Sequence, residues 1–409
     1  MGLLKTIIFI GTNKSGSSRE AITEAKRLGF FTVVFTKNLK QWKQRGEYTD
    51  VHEMIFVDTD NLSEMKEQIN KLLSKGMDIK MIVSFVNSYV YSASVLCDEF
   101  CKNYFSSNAI QLMSDKEETR SILKNQPYTP KYIVIKPGET ISFEKIISKL
   151  HFPLMVKSPK STGSKDVLLA KKEEQLKKHI FMFREKYPDG AIIIEEYIDG
   201  DQYLVEALVH NNRIMTAGVI EQEITKGKRF IITGYGVLAN VPNDIKKGIE
   251  GVLHSVIEQF GIKNGALHLE LRLSKSGWKL IEINPRISGS AMNKMIQAAF
   301  GFSLVEETLK LQLGGSPSVI PKHKKYVFTQ FLIVSRKGIL ERVTGKGRAR
   351  RSPGVVGVYV KPKKGTLLTP PLSMGDRYAY VMASGASMEE AKKFAKSAAN
   401  EITFHQAKE

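Results

Sequence analysis

Residues Leu267-His268-Leu269-Glu270-Leu271-Arg272-Leu273 alternate without a break between leucine and a polar side chain. Only an extended strand sends successive side chains to opposite faces, so this run demands a sheet with one buried and one polar side. Ser274-Lys275-Ser276-Gly277 follows as a turn. In the next run, Trp278-Lys279-Leu280-Ile281-Glu282-Ile283-Asn284, Glu282 and Asn284 share one face while Ile281 and Ile283 take the other. If the two runs pair as a hairpin, their apolar faces match only when even-numbered residues oppose even-numbered ones. A hairpin centred on Ser276 then sets Glu270 opposite Glu282 and His268 opposite Asn284. Opposed carboxylates on an exposed face repel by a few tenths to about 1 kcal/mol. A divalent cation reverses that sign, and Glu and Asn oxygens are hard donors suited to Mg²⁺, which also keeps waters and binds phosphate oxygens. The competing reading is a solvated polar face with coincidental acids. Pro285-Arg286 weighs against it, because Pro ends the ladder and leaves a guanidinium at the strand tip, where it can grip phosphate.

The rest of the chain supplies context for this pair. A length of 409 residues calls for two to four structural units. Between residues 6 and 104, short apolar strands at Ile7–Ile10, Thr32–Phe35, Met54–Val57 and Met81–Phe85 alternate with helical stretches after the first, third and fourth. That rhythm predicts a parallel sheet covered by helices. Gly11-Thr12-Asn13-Lys14-Ser15-Gly16-Ser17 has Ser17 where a Walker A loop needs Lys, so we read it as a tight turn into a helix. From Ser114 onward, runs of strands stand beside helices and indicate an α+β unit, while Gly314 to Pro321 resembles a linker. The expected units are 1–110 (α/β), 111–313 (central, divided near 197) and 314–409 (small α+β).

Composition narrows the function classes. No run of about 18 apolar residues is present, so no membrane span is expected. Met1-Gly2-Leu3-Leu4-Lys5-Thr6 fits a myristoylation pattern, but Thr6–Ile10 runs into Gly11 as a first strand does. Cys97 and Cys101 lie four apart, and reduced thiols in a cytoplasmic protein are the expectation. The net charge of +19 suits anionic ligands. Its densest cluster, Lys346-Gly347-Arg348-Ala349-Arg350-Arg351, has no interleaved aromatic residues, which disfavours nucleic acid as a partner.

Glu270 together with Glu282-Ile283-Asn284-Pro285-Arg286 resembles the metal and phosphate signature of the ATP-grasp superfamily. Earlier motifs follow in that family's order. Lys116 and Lys157 resemble its two nucleotide-binding lysines. Ser161-Thr162-Gly163-Ser164-Lys165-Asp166-Val167 looks like the loop that covers the phosphates, with Asp166 where relatives commonly carry Gly. Glu195-Glu196-Tyr197-Ile198 looks like the adenine hinge, and Gln202 stands where a ribose-binding acid is often found. The resemblance implies an ATP-grasp fold with an N-terminal parallel α/β domain and a small C-terminal α+β domain. It also implies ATP and Mg²⁺ as cofactors, in two ions, with Mn²⁺ able to substitute.

Within the superfamily, the chain is most similar to the L-amino-acid ligases that make dipeptides. Gly265-Ala266-Leu267-His268-Leu269-Glu270-Leu271-Arg272 resembles their His-x-Glu-x-(Arg/Lys) strand. Ile232-Thr233-Gly234-Tyr235 replaces their Glu-Thr-Gly-His stretch, which puts Tyr235 at the substrate. Ser290, Met292, Ser88 and Tyr89 are further candidate pocket walls. The implied chemistry activates one amino acid as an acyl phosphate, which the amine of a second amino acid attacks. Arg286 would orient the carboxylate and stabilise the oxyanion, Lys157 would assist phosphoryl transfer, and His268 is the candidate base. Two other readings remain: an ATP-grasp ligase or carboxylase acting on another carboxylate, and a non-catalytic nucleotide- or nucleic-acid-binding module. Homo-oligomerisation is left open.

Overall fold

The computed structural model describes residues 3–158, 166–226 and 230–407. The N-terminal rhythm builds a four-stranded parallel sheet in the order Glu53–Phe56, Phe31–Thr36, Leu4–Ile10, Met77–Val83. Ile8, Ile10, Val33 and Phe35 bury one face under helices Leu62–Ser74 and Val90–Phe100. Ile7, Phe9 and Val34 bury the other with Ala21, Ile22 and Ala25 of helix Ser17–Arg27. Parallel sheets need cover on both sides, and the near-continuous apolar strands reflect it. A short helix, Leu39–Lys43, also follows the second strand, where none was expected; Asn38 caps it by accepting from the Gln41 N–H. The Gly11–Ser17 run turns into its helix through positive φ at Gly11 and Gly16.

A small antiparallel sheet follows, ordered Tyr132–Ile135, Ile192–Glu196, Leu154–Lys157, Val167–Ala170. Its apolar side shares a core with Ile146 of helix Phe143–Lys149 and with Leu176, Ile180 and Phe183 of helix Glu173–Lys186.

The largest sheet has eight antiparallel strands. They run in the order Gly277–Asn284, Gly265–Ser274, Asp201–His210, Arg213–Lys226, Phe230–Val237, Tyr326–Leu332, Ala379–Gly385, Val355–Val360. Leu267, Leu269 and Leu271 bury one face against Ile249, Val252, Leu253 and Val256 of helix Asn243–Gln259. Those four residues recur at helical spacing, which is why a polar-looking segment forms a helix here. The sheet continues past residue 314, because Gly234–Val237 pairs with Val327–Gln330. An unpaired strand edge is a row of unanswered N–H and C=O groups, and the C-terminal strands fill it. A three-stranded sheet (Leu367–Leu368, Gly338–Thr344, Thr403–Ala407) and helix Met388–Asn400 complete that end.

The basic cluster forms helix Lys346–Arg351, with Arg348 Nε 2.6 Å from a Glu401 carboxylate oxygen. Cys97 and Cys101 are free thiols with sulfurs 3.2 Å apart. Among the described residues, no helix is long and apolar enough to cross a membrane.

Gly200 (φ +142°) and Gly277 (φ +95°) test how closely the strands approach. A Cβ on Gly200 would lie 2.1 Å from the Leu273 carbonyl oxygen, whereas one on Gly277 would meet nothing within 4 Å. Gly277→Ala should cost only the backbone penalty, about 1 kcal/mol, and Gly200→Ala about 1–3 kcal/mol more, read from urea unfolding midpoints.

Candidate active site

The strands Gly265–Ser274 and Gly277–Asn284 form the expected hairpin, with Glu270 opposite Glu282 and His268 opposite Asn284. The turn differs from expectation. Ser274 pairs with Gly277 and Leu271 with Leu280, so the loop is centred between Lys275 and Ser276. A bulge between Glu270 and Leu271 on one strand, at Ile281 on the other, restores the pairing of the two acids. Leu280, not Ile281, therefore joins Ile283 in the core beneath the hairpin. The Ile281 carbonyl accepts from Arg120 Nη2 at 2.9 Å.

Each carboxylate is met by cationic or amide groups. Lys116, which opens helix Lys116–Ile122 behind its Asp115 cap, places Nζ 3.4 Å from Glu282 Oε1. Gln202 Nε2 donates to Glu270 Oε2 at 3.0 Å, and Arg272 Nε donates to Gln202 Oε1 at 2.9 Å. Burial pushes the Glu270 carboxyl upward, but His268, Lys157 and Lys116 outweigh it and hold the group below its ordinary range.

His268, the expected catalytic base, stands between two carboxylates. Its Nδ1 lies 2.6 Å from Glu206 Oε1, inside the protein, and its Nε2 lies 3.9 Å from Glu270 Oε1. Burial lowers the imidazole pKa, yet Glu206 and then Glu270 override it and carry it up to about 10. The two flanking carboxylates thus favour the imidazolium, the form that has no lone pair for an amine proton. Glu206, 0% exposed, also accepts from the Ser288 N–H at 3.0 Å and so ties the hairpin to the loop beyond Arg286.

Lys157 ends strand Leu154–Lys157 and places Nζ 2.5 Å from Glu195 Oε2. Arg120 Nε reaches the other oxygen of Glu195 at 2.7 Å, and all three side chains are buried. Burial alone would raise the Glu195 carboxyl, but Arg120 and Lys157 pull it down to about 2. The Glu195 side chain is thus a counter-ion that fixes Lys157. At the hinge, the Glu196 N–H donates to Lys131 O at 3.0 Å, and Ile198 O accepts from Arg272 Nη1 at 2.5 Å.

Arg286 donates from Nε to Asn87 Oδ1 (3.1 Å) and from Nη1 to Ile287 O (2.9 Å); Nη2 has no partner among the described residues. Burial lowers its pKa against the opposing pull of Glu206, Glu282 and Glu270. The candidate pocket residues scatter around it. Ser88 and Tyr89 lie in a short helical turn with Asn87. Tyr89 stands close to Gly11, and exposed Ser290 (φ +59°) close to Gly16, while Met292 is buried. Tyr235 is buried three strands away, edge-on to Phe331. Ser161, Gly163 and Ser164 lie outside the described residues. Asp166, beside them, accepts from Lys186 Nζ and the Tyr187 hydroxyl, each at 2.7 Å.

Arg120, Glu206 and Asn87 were not anticipated. Two of them left a trace in the sequence. Arg120 is four residues after Lys116 on one helix and so shares its face. Glu206 interrupts the apolar run Leu204-Val205-Glu206-Ala207-Leu208, where a carboxylate needs a partner.

Comparison with known proteins gives the following similarities. Residues 150–294 match the family profile described as ATP-grasp domain, and residues 330–407 match L-amino acid ligase C-terminal domain 2. The uncharacterized protein y4rH of Sinorhizobium fredii is 23% identical over 86% of this chain and 73% of its own length. The L-arginine-specific L-amino acid ligase of Bacillus subtilis is 22% identical over 78% of each chain. The crystal structure of an L-amino acid ligase from Bacillus licheniformis superposes over all of both chains with a TM-score of 0.82 at 18% identity.

The buried Glu195 cluster yields a pH-dependent expectation. A carboxyl held at about 2, below its ordinary 4.5, contributes stability that is full above pH 4.5 and lost as pH falls toward 2. Glu195→Gln leaves two buried cations without their counter-charge and should cost about 3–5 kcal/mol at pH 7. In urea unfolding, that deficit should shrink between pH 4.5 and 2; a deficit independent of pH in that window would refute the assignment.

Proposed function

The chain belongs to the ATP-grasp superfamily as a ligase of the L-amino acid ligase type, and we propose that it joins two L-amino acids into a dipeptide. It is an ATP-dependent, C–N bond-forming enzyme, and the proposed route runs through an acyl phosphate with release of ADP and phosphate. The observation that carries the reading is the convergence of Lys116, Lys157 and Arg286 on the opposed pair Glu270 and Glu282.

Glu270, Glu282 and Asn284 form an oxygen-only donor set on one sheet face, which suits Mg²⁺; on this reading two ions would bind, and Mn²⁺ would substitute. Bound there, the metal would neutralise charge on the transferring phosphoryl group. Lys116 and Lys157 would hold the α- and β-phosphates, the latter fixed by Glu195. Backbone N–H groups of Ser161, Gly163 and Ser164 would cover the phosphates. With the Glu196 N–H and Ile198 O engaged inside the protein, the purine edge falls to the Glu196 carbonyl and the Ile198 N–H. Gln202 would face the ribose.

The carboxylate of the first amino acid attacks the γ-phosphorus, and the bridging oxygen leaves with ADP. Arg286, held by Asn87, offers its remaining N–H groups to that carboxylate and then to the oxyanion that forms when the second amine attacks. The C–N bond forms, the C–O bond to phosphate breaks, and the amine's extra proton is lost to solvent. Ser290, Met292, Ser88, Tyr89 and Tyr235 would bound the side-chain space.

Phosphate release with ATP, Mg²⁺, single amino acids and amino-acid pairs tests this reading. Release that needs a pair and yields amide supports it. Release driven only by other acids points to a different carboxylate, and none at all would refute the enzyme reading. Glu282→Ala should lower turnover at least about 100-fold. Arg286→Lys should lower kcat about 10²–10³-fold with ADP binding intact by calorimetry.

A further inference from the structure

Arg377 precedes the strand Ala379–Gly385, far in sequence from the residues above. Its guanidinium carbon lies 4.0 Å from the centroid of Phe331 and 5.5 Å from that of Tyr235. Nε donates to Met374 O at 3.1 Å and Nη1 to Ile232 O at 3.3 Å. No Asp or Glu pairs with it among the described residues. A half-buried guanidinium laid on two rings, anchored by carbonyls and lacking a carboxylate, is a preorganised anion receptor.

The position fits the site. In register, Glu270 opposes Leu204, Leu204 opposes Ile220, and Ile220 opposes Val237. Tyr235, two residues from Val237, therefore shares the face of Glu270, three strands across and two residues along, or about 16 Å away. Two linked amino acids span about 7 Å when extended, which fits between the two ends. Tyr235 pairs in register with Gln222 and Thr329. Thr329 Oγ1 and Gln222 Oε1 are buried without a hydrogen-bond partner among the described residues, although Thr329 is 0% exposed. These two side chains make the face beside Tyr235 polar as well as aromatic.

We propose that Arg377, steadied by Tyr235 and Phe331, binds a carboxylate of the amine-donating amino acid. This rests on the dipeptide-forming reading and adds the recognition of its second substrate. The carboxylate is either the α-carboxylate or one on an acidic side chain, and amidating each in turn separates the two.

The test is calorimetric binding of amino acids and their amides to the Mg-ADP enzyme, for wild type and Arg377→Gln, beside turnover with pairs. Wild type should prefer the free acid to the amide by about 10–100-fold, and Arg377→Gln should lose that preference. KM for ATP and for the first amino acid should stay within about twofold. Tyr235→Phe, which keeps the ring, should retain most of the preference. Equal binding of acid and amide to wild type, or an undiminished preference in Arg377→Gln, overturns the proposal. Absence of amide product despite this binding pattern would overturn the dipeptide reading alone. Thermal melting of each variant excludes misfolding as the cause.

Discussion

Two carboxylates set opposite one another on adjacent strands repel, and the hairpin holds them together only because cations and amides crowd around. Lys116 meets Glu282, Gln202 meets Glu270, and the His268 ring stands beside Glu270 with Glu206 behind it. Attraction over short distances in a partly buried setting outweighs the mutual repulsion of the pair. Those same groups come from three separate stretches of chain, so the charge balance also fixes how the stretches sit. The opening turn of helix Lys116–Ile122, the strand Asp201–His210 and the hairpin are brought to one place by it.

The ion cluster Arg120–Glu195–Lys157 extends this logic from the large sheet to the small one. Arg120 bonds both Glu195, at the end of a small-sheet strand, and the carbonyl of Ile281 in the hairpin. A buried ion pair adds little net stability by itself, but its geometry is unforgiving once formed. Lys157 is thereby presented at a defined point above the acidic pair. The bulge at Ile281 serves the same end. It lets a two-residue turn coexist with a register in which Glu270 opposes Glu282, and it frees a carbonyl for Arg120.

Much of this was legible. The leucine alternation through residues 267–273 predicts the hairpin and the opposition of Glu270 and Glu282, because strand periodicity is local and a buried face tolerates only one register. The N-terminal parallel sheet was equally readable from its apolar strands. The bulge was not, since Ile281 and Leu280 are equally apolar and nothing in the residue types says which is left out of the ladder. The contact between His268 and Glu206 was not legible either, because the two lie 62 residues apart and contribute no local signal.

What the sequence determined by itself was the set of elements, the sheet faces and the chemical types on each face, all governed by periodicities of two and 3.6 residues. Tertiary structure alone decided which charges meet: Glu206 with His268, Arg120 with Glu195, Asn87 with Arg286, and Arg377 over Tyr235 and Phe331. Electrostatic and hydrogen-bond partners act over a few ångströms in space, whereas the chain separates most of these groups by tens to hundreds of residues. The protonation of a histidine and the aim of a guanidinium therefore follow only from the folded arrangement.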